Sequence, residues 1–284
     1  MRIRGIAIAA AAAVVMTAPA ARAAERYEHY VALGDSYAAV GNLLSTHGTA
    51  GCFRSTENYA ADLAKSLHIK DFTDISCGSA TTEHLVKPQN TGLGTNPPQL
   101  DGLSADTDLV TLTIGGNDLG FVDIATGCGL LSATNPFGNP CQRANTAHGV
   151  DKVIAKIDDE VVPKVAAAVR AIAQRAPRAT VVVAGYLPLL PPQAGCWPVV
   201  PLAAGDATWL HGVQRHLDDA ITAQAGLAGG IAVNPSGRTG HDACQVPSKR
   251  WVEPVLPAAA TTPLHPNAAG QRALAGFVEA AITG

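Results

Sequence analysis

Short apolar runs alternate along the chain with longer segments of helical periodicity. Apolar, β-branched runs that end at glycine or in a turn predict buried strands at residues 30–33, 71–76, 109–114, 179–184 and 230–233. Apolar residues that recur every three or four positions predict helices at residues 58–67, 150–175, 208–225 and 267–282. Strands that alternate with helices form parallel sheets covered on both faces, so the pattern predicts one α/β domain.

Local signals refine these elements. Asn58 and Asn267 stand where their side chains can cap the helices that follow. Pro163 lies inside the predicted helix 150–175 and is expected to kink or split it, because proline has no backbone N–H. Residues 121–145 follow neither period and are predicted to be irregular. A connection of that length is typical of a functional loop or the wall of a cleft.

Three polar motifs flank the predicted strands and helices. Residues 34–37 (Gly-Asp-Ser-Tyr) and 115–118 (Gly-Gly-Asn-Asp) each follow a strand, and His265 precedes the last helix with Pro266. Open α/β sheets bind ligands at the carboxyl ends of their strands. A serine hydroxyl needs a neighbouring base to act as a nucleophile, so we assign Ser36 as nucleophile and His265 as base. The Asn117 amide would then donate a hydrogen bond to the oxyanion.

The beginning of the chain has the composition of a secretory signal peptide. Arg2 and Arg4 precede an alanine-rich apolar run, and Ala21-Arg22-Ala23 fits a cleavage site. The run is too short for a membrane span, so we expect no integral span in the mature chain. The predicted organisation is a signal peptide at 1–23 and one catalytic domain at 24–284, exported to the extracellular space or cell envelope.

The net charge of the mature chain narrows the range of partners that the protein can bind. Cleavage after Ala23 removes three arginines and no acidic residue, which changes the formal charge from −3 to −6. This charge disfavours nucleic acid and anionic membrane surfaces as partners. The sequence shows no coiled-coil pattern or long apolar seam, so a monomer is expected.

An even number of cysteines in an exported chain predicts disulfides rather than free thiols. Six cysteines allow 15 pairings, and the simplest follows their order: Cys52–Cys77, Cys128–Cys141 and Cys196–Cys244. A metal site is the alternative, but no pair has C-x-x-C spacing and no histidine cluster accompanies them. We therefore predict no metal.

In this order, the three motifs resemble those of the GDSL/SGNH hydrolase superfamily. Residues 34–37 match its first block, 115–118 its third, and His265-Pro266 its fifth, while the second-block glycine falls near residues 77–80. The resemblance covers essentially the whole mature chain, and the six-cysteine format is similar to secreted actinobacterial esterases and lipases. It implies a flavodoxin-like three-layer α/β/α sandwich with a mostly parallel central sheet (the SGNH hydrolase fold). It also implies ester hydrolysis without metal or organic cofactor.

Two positions depart from that family pattern. Ser79 stands where the family has its oxyanion glycine and Gly78 lies one position earlier, so backbone N–H groups of Ser36 and of Gly78 or Ser79 are the predicted donors. The family's aspartate three residues before the histidine is here Thr262. The resemblance to secreted members with a Ser–His dyad assigns the Thr262 backbone carbonyl to orient His265.

Four carboxylates near these motifs require an interpretation. Asp242 or Glu253 is the alternative partner of His265, although no sequence signal positions either one. Asp35 adjoins Ser36, but adjacent side chains diverge, so we interpret Asp35 and likewise Asp118 as braces of their turns.

The substrate prediction rests on apolar loops. Residues 130–137 and 187–192 are apolar, which favours acyl chains of lipid or simple esters over sugars. The alternatives are a carbohydrate acetylesterase and a secreted binding module that keeps the fold without activity. Acyl chain length and the choice among lipase, phospholipase and acetylesterase remain open at this stage.

Overall fold

The computed structural model describes residues 27–284, so the predicted signal peptide at 1–23 lies outside the described residues. A five-stranded parallel sheet forms its centre, in the order β2-β1-β3-β4-β5. Its strands are β1 (His29–Gly34), β2 (Asp71–Asp74), β3 (Leu109–Thr113), β4 (Thr180–Ala184) and β5 (Ile231–Val233). This is the flavodoxin-like strand order, so the predicted fold class is confirmed.

The α-helices are α1 (Ser36–Ala39), α2 (Tyr59–Ser66), α3 (Gly116–Leu119), α4 (Phe121–Ser132), α5 (Pro140–Asn145), α6 (Lys152–Lys156), α7 (Val162–Arg175), α8 (Ala204–Thr222) and α9 (Ala268–Thr283). Short 3₁₀ turns lie at Leu43–Ser45, Thr82–Leu85, Gln99–Gly102 and Ala223–Ala228. Two short antiparallel pairs join Gln89–Asn90 to Thr95–Asn96 and Thr146–Ala147 to Val150–Asp151.

The two faces of the sheet bury separate apolar clusters, because successive side chains of a strand point to opposite faces. Val31 and Leu33 of β1 belong to the cluster that includes buried residues of α7 and α8. Tyr30 and Ala32 belong to the cluster that includes residues of α2 and α9. The result is helix, sheet and helix in three layers. No helix within residues 27–284 combines the length and apolarity needed to cross a bilayer.

The predicted irregular structure of residues 121–145 is wrong, because α4 and α5 occupy most of this segment. Buried contacts stabilise the two helices despite their glycines and prolines. The Cys128–Cys141 disulfide joins them. The buried Asp206 carboxylate of α8 accepts the N–H groups of Cys141 and Gln142 in the first turn of α5, at 3.0 and 2.9 Å.

The predicted long helix at 150–175 is split, as the position of Pro163 led us to expect. It begins only at Lys152, and a π-helical turn at Ile157–Val161 separates α6 from α7. Pro163 lies at the start of α7, directly after this π-helical turn, so its missing backbone N–H coincides with the change from one helical hydrogen-bond pattern to the other. Asn58 and Asn267 cap α2 and α9 through their side chains, so both cap predictions are confirmed.

The end of β1 is held by side-chain and backbone contacts. The Gln99 side chain pairs with Gly34, accepting from its N–H at 2.7 Å and donating to its carbonyl at 2.9 Å. Gly34 has φ +141°, and a Cβ there would lie 2.4 Å from the Thr113 carbonyl oxygen. Only glycine therefore fits the turn that leads from β1 into α1.

Candidate active site

Ser36 and His265 meet at the carboxyl edge of the sheet. Ser36 is the first residue of α1, directly after β1, and His265 lies just before α9. The His265 Nε2 atom is 2.7 Å from Ser36 Oγ, although 229 positions separate the two residues in the chain. A hydroxyl within hydrogen-bond reach of an imidazole is the arrangement of a serine nucleophile and its base.

A backbone carbonyl orients His265, but it belongs to Pro263 and not to Thr262. His265 Nδ1 lies 2.7 Å from the Pro263 carbonyl oxygen. The Thr262 carbonyl instead accepts the backbone N–H of His265 at 3.3 Å, which closes a turn. The prediction of Thr262 is therefore wrong by one residue. A proton on Nδ1 leaves Nε2 free to accept the Ser36 hydroxyl proton.

Neither alternative carboxylate partners His265. Asp242 accepts the N–H of Cys244 at 3.0 Å. Glu253 forms a buried ion pair with Arg250 at 2.6 Å. Both carboxylates therefore bind groups within their own loop. The alternative that Asp242 or Glu253 orients His265 is wrong.

Tyr37 connects the serine turn to the histidine turn, a role that sequence reasoning missed. Its hydroxyl donates to the Leu264 carbonyl at 2.7 Å, and its ring centre is 5.0 Å from that of His265. Leu264 has φ +61°, a left-handed conformation that leucine rarely adopts. The sequence signal for this role of Tyr37 is that it directly follows Ser36.

Three of the four predicted oxyanion donors are compatible with the structure. The Gly78 N–H donates to the Cys52 carbonyl at 2.8 Å, so the prediction of Gly78 as a donor is wrong. The N–H of Ser79, an exposed residue at φ +61°, has no acceptor among residues 27–284. The Ser36 N–H begins α1 and is likewise free of acceptors within that part of the chain. Asn117 donates one amide hydrogen to the Ala80 carbonyl at 2.9 Å, which leaves the other available.

Asp35 and Asp118 brace turns, in agreement with their interpretation. The buried Asp35 carboxylate accepts the Tyr37 N–H at 2.9 Å, which caps α1, and the Tyr186 hydroxyl at 2.6 Å. Asp118 accepts the N–H and the hydroxyl of Thr82 at 2.9 and 2.7 Å. This contact ties the loop after β2 to the loop after β3.

Burial shifts the pKa values of Asp35 and His265 in opposite directions. It raises the pKa of Asp35 to about 7, against the hydrogen bonds from Tyr186 and Tyr37 that favour the charged form. Burial lowers the pKa of His265, and the hydrogen bond to the Pro263 carbonyl opposes this shift. A lowered pKa keeps the imidazole neutral and able to accept a proton at neutral pH.

A cavity of about 690 Å³ opens beside the Ser36–His265 pair, and most of its wall is apolar. The wall includes one face of α4, with Phe121, Ala125 and Leu130. Leu189 and Leu202, from the long loop between β4 and α8, also line the cavity. The predicted cleft wall at residues 121–145 is therefore confirmed, although it is helical.

All six cysteines form disulfides, and their pairing follows the sequence order as predicted: Cys52–Cys77, Cys128–Cys141 and Cys196–Cys244. The metal interpretation of these cysteines is therefore wrong.

Comparisons with known proteins agree with this geometry. The profile of the GDSL-like lipase/acylhydrolase family matches residues 32–273. The chain is 40% identical to Lipase 2 of Streptomyces coelicolor over 256 residues, which are 87% of this chain and 83% of that protein.

Two solved structures have the same fold. Both have a TM-score of 0.72, with 28% identity for the extracellular lipase of Streptomyces rimosus and 26% for phospholipase A1 of Streptomyces albidoflavus. They cover 89% and 90% of this chain, respectively, and 99% of each solved chain. The parallel sheet and the Ser36–His265 pair agree with these similarities. The chain therefore belongs to the GDSL-like lipase/acylhydrolase family and is an ester hydrolase.

Proposed function

We propose that this ester hydrolase uses Ser36 as nucleophile and His265 as base and acts on lipid or simple acyl esters. The observation that carries the proposal is the 2.7 Å contact between Ser36 Oγ and His265 Nε2 at the mouth of the apolar cavity. The Pro263 carbonyl holds the ring in the tautomer that this role requires.

The reaction is a two-step acyl transfer. Ser36 attacks the ester carbonyl while His265 takes its proton, and the N–H groups of Ser36 and Ser79 and the Asn117 amide stabilise the oxyanion. His265 then protonates the leaving alcohol, which leaves an acyl-enzyme on Ser36. In the second step, water attacks the acyl-enzyme carbonyl while His265 takes a proton from it. The bond to Ser36 Oγ then breaks, His265 returns the proton to that oxygen, and the carboxylic acid is released. The chemistry requires no metal or organic cofactor.

The lining of the cavity favours an acyl chain over a sugar. The side chains of α4 and the leucines of the loop between β4 and α8 offer apolar contact to a bound chain. A carbohydrate acetylesterase is the second candidate, and a short acetyl group would leave most of this wall unused. The names of the relatives, lipase and phospholipase A1, belong to the lipid ester class.

The cellular location, partners and oligomeric state of the enzyme are proposed from other features. We propose export from the cell, because the chain begins with a signal-peptide pattern and its domain contains three disulfides. The formal charge of −6 after cleavage at Ala23 argues against nucleic acid partners. We also propose that residues 24–284 form a single domain and that the protein acts as a monomer.

Hydrolysis of p-nitrophenyl esters from acetyl to palmitoyl tests this function. Ser36→Ala is expected to lower kcat by roughly 10⁴-fold or more, because the serine and histidine act as one unit. Ser248→Ala removes an exposed hydroxyl from a loop and should leave kcat unchanged. We expect the acyl-chain optimum to lie well beyond acetyl, whereas an optimum at acetyl would favour the second candidate.

A fluorophosphonate probe separates an enzyme from an inactive binding module. The probe reacts with activated serines, so it should label the wild-type chain and Ser248→Ala but not Ser36→Ala. Near-normal turnover or labelling of Ser36→Ala would contradict the assignment of the nucleophile.

A further inference from the structure

Large apolar side chains surround the cavity mouth while remaining open to solvent. Val122, Leu130 and Val255 line the cavity, yet 61, 75 and 37% of their surfaces are exposed. A side chain that both lines a cavity and faces solvent stands at its rim. Leu130 and Val122 lie on α4, whereas Val255 lies on the segment that leads to His265.

Two further side chains extend this rim outward. Leu256 follows Val255 directly and is 85% exposed, and Phe137 is 91% exposed. The neighbouring Pro136 carbonyl accepts the Ala204 N–H at 2.9 Å, which places Phe137 next to the end of the loop whose residues 200–202 line the cavity. We call Val122, Leu130, Phe137, Val255 and Leu256 the apolar rim.

The segments that carry and border the apolar rim are almost free of charge. Residues 121–139, 187–205 and 254–264 contain a single charged side chain, Asp123, whereas 15% of the whole chain is charged. Outside the largely buried residues 187–190 and 200–203, most positions of these segments are at least partly exposed, so burial alone does not explain their lack of charge. Monomeric proteins rarely expose contiguous apolar patches of this kind unless the patch meets a partner or a lipid phase.

We propose that the apolar rim docks on the surface of aggregated, electrically neutral lipid and holds the cavity mouth against it. The partner is a zwitterionic or uncharged surface because the rim segments contain no lysine or arginine and the mature chain is negative, which disfavours an anionic surface. Rim side chains that enter the acyl region lose their contact with water, and this burial of apolar surface stabilises the docked state.

The choice of lipid as partner rests on the proposed function, since the rim encloses the entrance to the proposed acyl site. Docking would let an ester chain pass from the lipid phase into the cavity without crossing water. Consequently, the rim should influence hydrolysis of aggregated esters and leave hydrolysis of dissolved short esters unchanged.

Binding to phosphatidylcholine vesicles tests the docking surface. The background is Ser36→Ala, so that the vesicles stay intact, and bound protein is measured by vesicle flotation. The rim variant combines Phe137→Ser with Leu256→Ser. We expect it to lower the partition coefficient between vesicles and water about 100-fold, roughly tenfold for each side chain that would otherwise enter the lipid. Leu227→Ser is the matched control, because Leu227 is 43% exposed and lies in the 3₁₀ turn before β5, at the opposite edge of the sheet.

The outcomes separate the proposals. Equal vesicle binding by the rim variant and the control, or no vesicle binding by the Ser36→Ala protein, overturns docking. Stronger binding to phosphatidylglycerol vesicles that disappears with salt also overturns it, because the partner would then be an anionic surface. Sedimentation that shows a dimer lost only in the rim variant, without vesicle binding, would assign the rim to a second copy of the chain.

Activity supplies the independent readout. With Ser36 intact, the rim variant should hydrolyse dissolved p-nitrophenyl butyrate as the wild type does and emulsified tributyrin far more slowly. Activity on the dissolved ester without vesicle binding would overturn the docking proposal and leave the proposed function standing. Vesicle binding without any ester hydrolysis would overturn the proposed function and leave the docking proposal standing.

Discussion

Tyr186 joins two turns of the active site through one hydroxyl group. The hydroxyl donates to the Asp35 carboxylate at 2.6 Å and accepts the Gly116 N–H at 2.8 Å. Tyr186→Phe would remove the partner of one oxygen of the buried Asp35 carboxylate and of the half-buried Gly116 N–H, so we expect the free energy of unfolding to fall by about 2 kcal/mol. We also expect kcat to fall while KM changes little, because Asp35 caps the helix that begins at Ser36. Urea unfolding and steady-state kinetics measure the two effects.

The same substitution at Tyr30 is the control for Tyr186→Phe. The Tyr30 hydroxyl is buried and shares a hydrogen bond of 2.7 Å with Thr111 inside the sheet, away from the turns. Tyr30→Phe should therefore reduce stability without lowering kcat. Equal effects of both variants on kcat would show that Tyr186 acts only through overall stability.

His265 is expected to titrate below the usual histidine value of 6.5, because burial disfavours its charged form. Its neutral form then persists to lower pH, so kcat/KM should rise with pH and reach its plateau by about neutral pH. His29 provides the opposite case in the same chain, because its hydrogen bond to Asp71 raises its pKa. Imidazole NMR signals, assigned with His265→Gln and His29→Gln, should give midpoints on opposite sides of 6.5. A His265 midpoint above that of His29 would contradict the prediction.

At the scale of single residues, the sequence revealed the reacting pair but not its supports. Ser36 and His265 stand in motifs whose spacing and order have chemical meaning. The choice between the Thr262 and Pro263 carbonyls depends on one peptide orientation, which no hydrophobic pattern encodes. Gly78 was likewise mistaken for a donor, because its N–H is consumed by the Cys52 carbonyl across a disulfide-linked loop. Tyr186 was missed because its partner Asp35 is 151 positions away.

Among the elements, α4 and α5 show why residues 121–145 were predicted to be irregular. Glycines at 127 and 129 and the prolines at 136 and 140 weaken helical propensity. The helices form because distant groups stabilise them, including the Asp206 carboxylate at the start of α5. Hydrophobic periodicity correctly predicted α2, α7, α8 and α9, whose apolar faces are buried in the core, but not the helices that are stabilised mainly by tertiary contacts.

The Cys128–Cys141 disulfide anchors the α4 wall of the cavity. Its removal by Cys128→Ser with Cys141→Ser opens a loop of 13 residues, and chain-entropy arguments give a stability loss of about 3 kcal/mol. A looser α4 should raise KM for long acyl esters more than for acetyl esters, because only a long chain reaches this wall. Kinetics across the p-nitrophenyl series measures the difference, and an equal rise in KM for all chain lengths would contradict it.

The architecture of the whole molecule was more predictable than its details. Strand and helix alternation was sufficient to predict the parallel sheet, and the sheet places residues 34–37 and 115–118 at one edge. The shape of the cavity depends on how α4 packs against the loop between β4 and α8. The Ala203 N–H at the end of this loop donates to Ser132 Oγ of α4 at 2.8 Å, although the two residues are 71 positions apart in the chain. Such long-range packing leaves no local signal in the sequence.

Asp218 links the stability of the whole fold to pH. Its carboxylate is buried and accepts the Tyr186 N–H at 2.6 Å through one oxygen, while the other oxygen has no hydrogen-bond partner among residues 27–284. Burial raises its pKa well above the ordinary value of 3.8. The folded chain therefore holds a proton that the unfolded chain releases, so this residue makes the fold less stable as pH rises above about 4.

Asp218→Asn should remove this dependence. The amide keeps an acceptor for the Tyr186 N–H and carries no charge at any pH, so the variant is expected to match the wild type near pH 4 and to be more stable by about 1–2 kcal/mol near pH 8. Urea unfolding at both pH values measures the difference. Asp159→Asn is the control, because the Asp159 side chain is exposed on the π-helical turn and forms no hydrogen bond or ion pair within residues 27–284. A stability difference at Asp218 that does not grow with pH would show that its carboxyl group is already ionised at negligible cost in the folded protein.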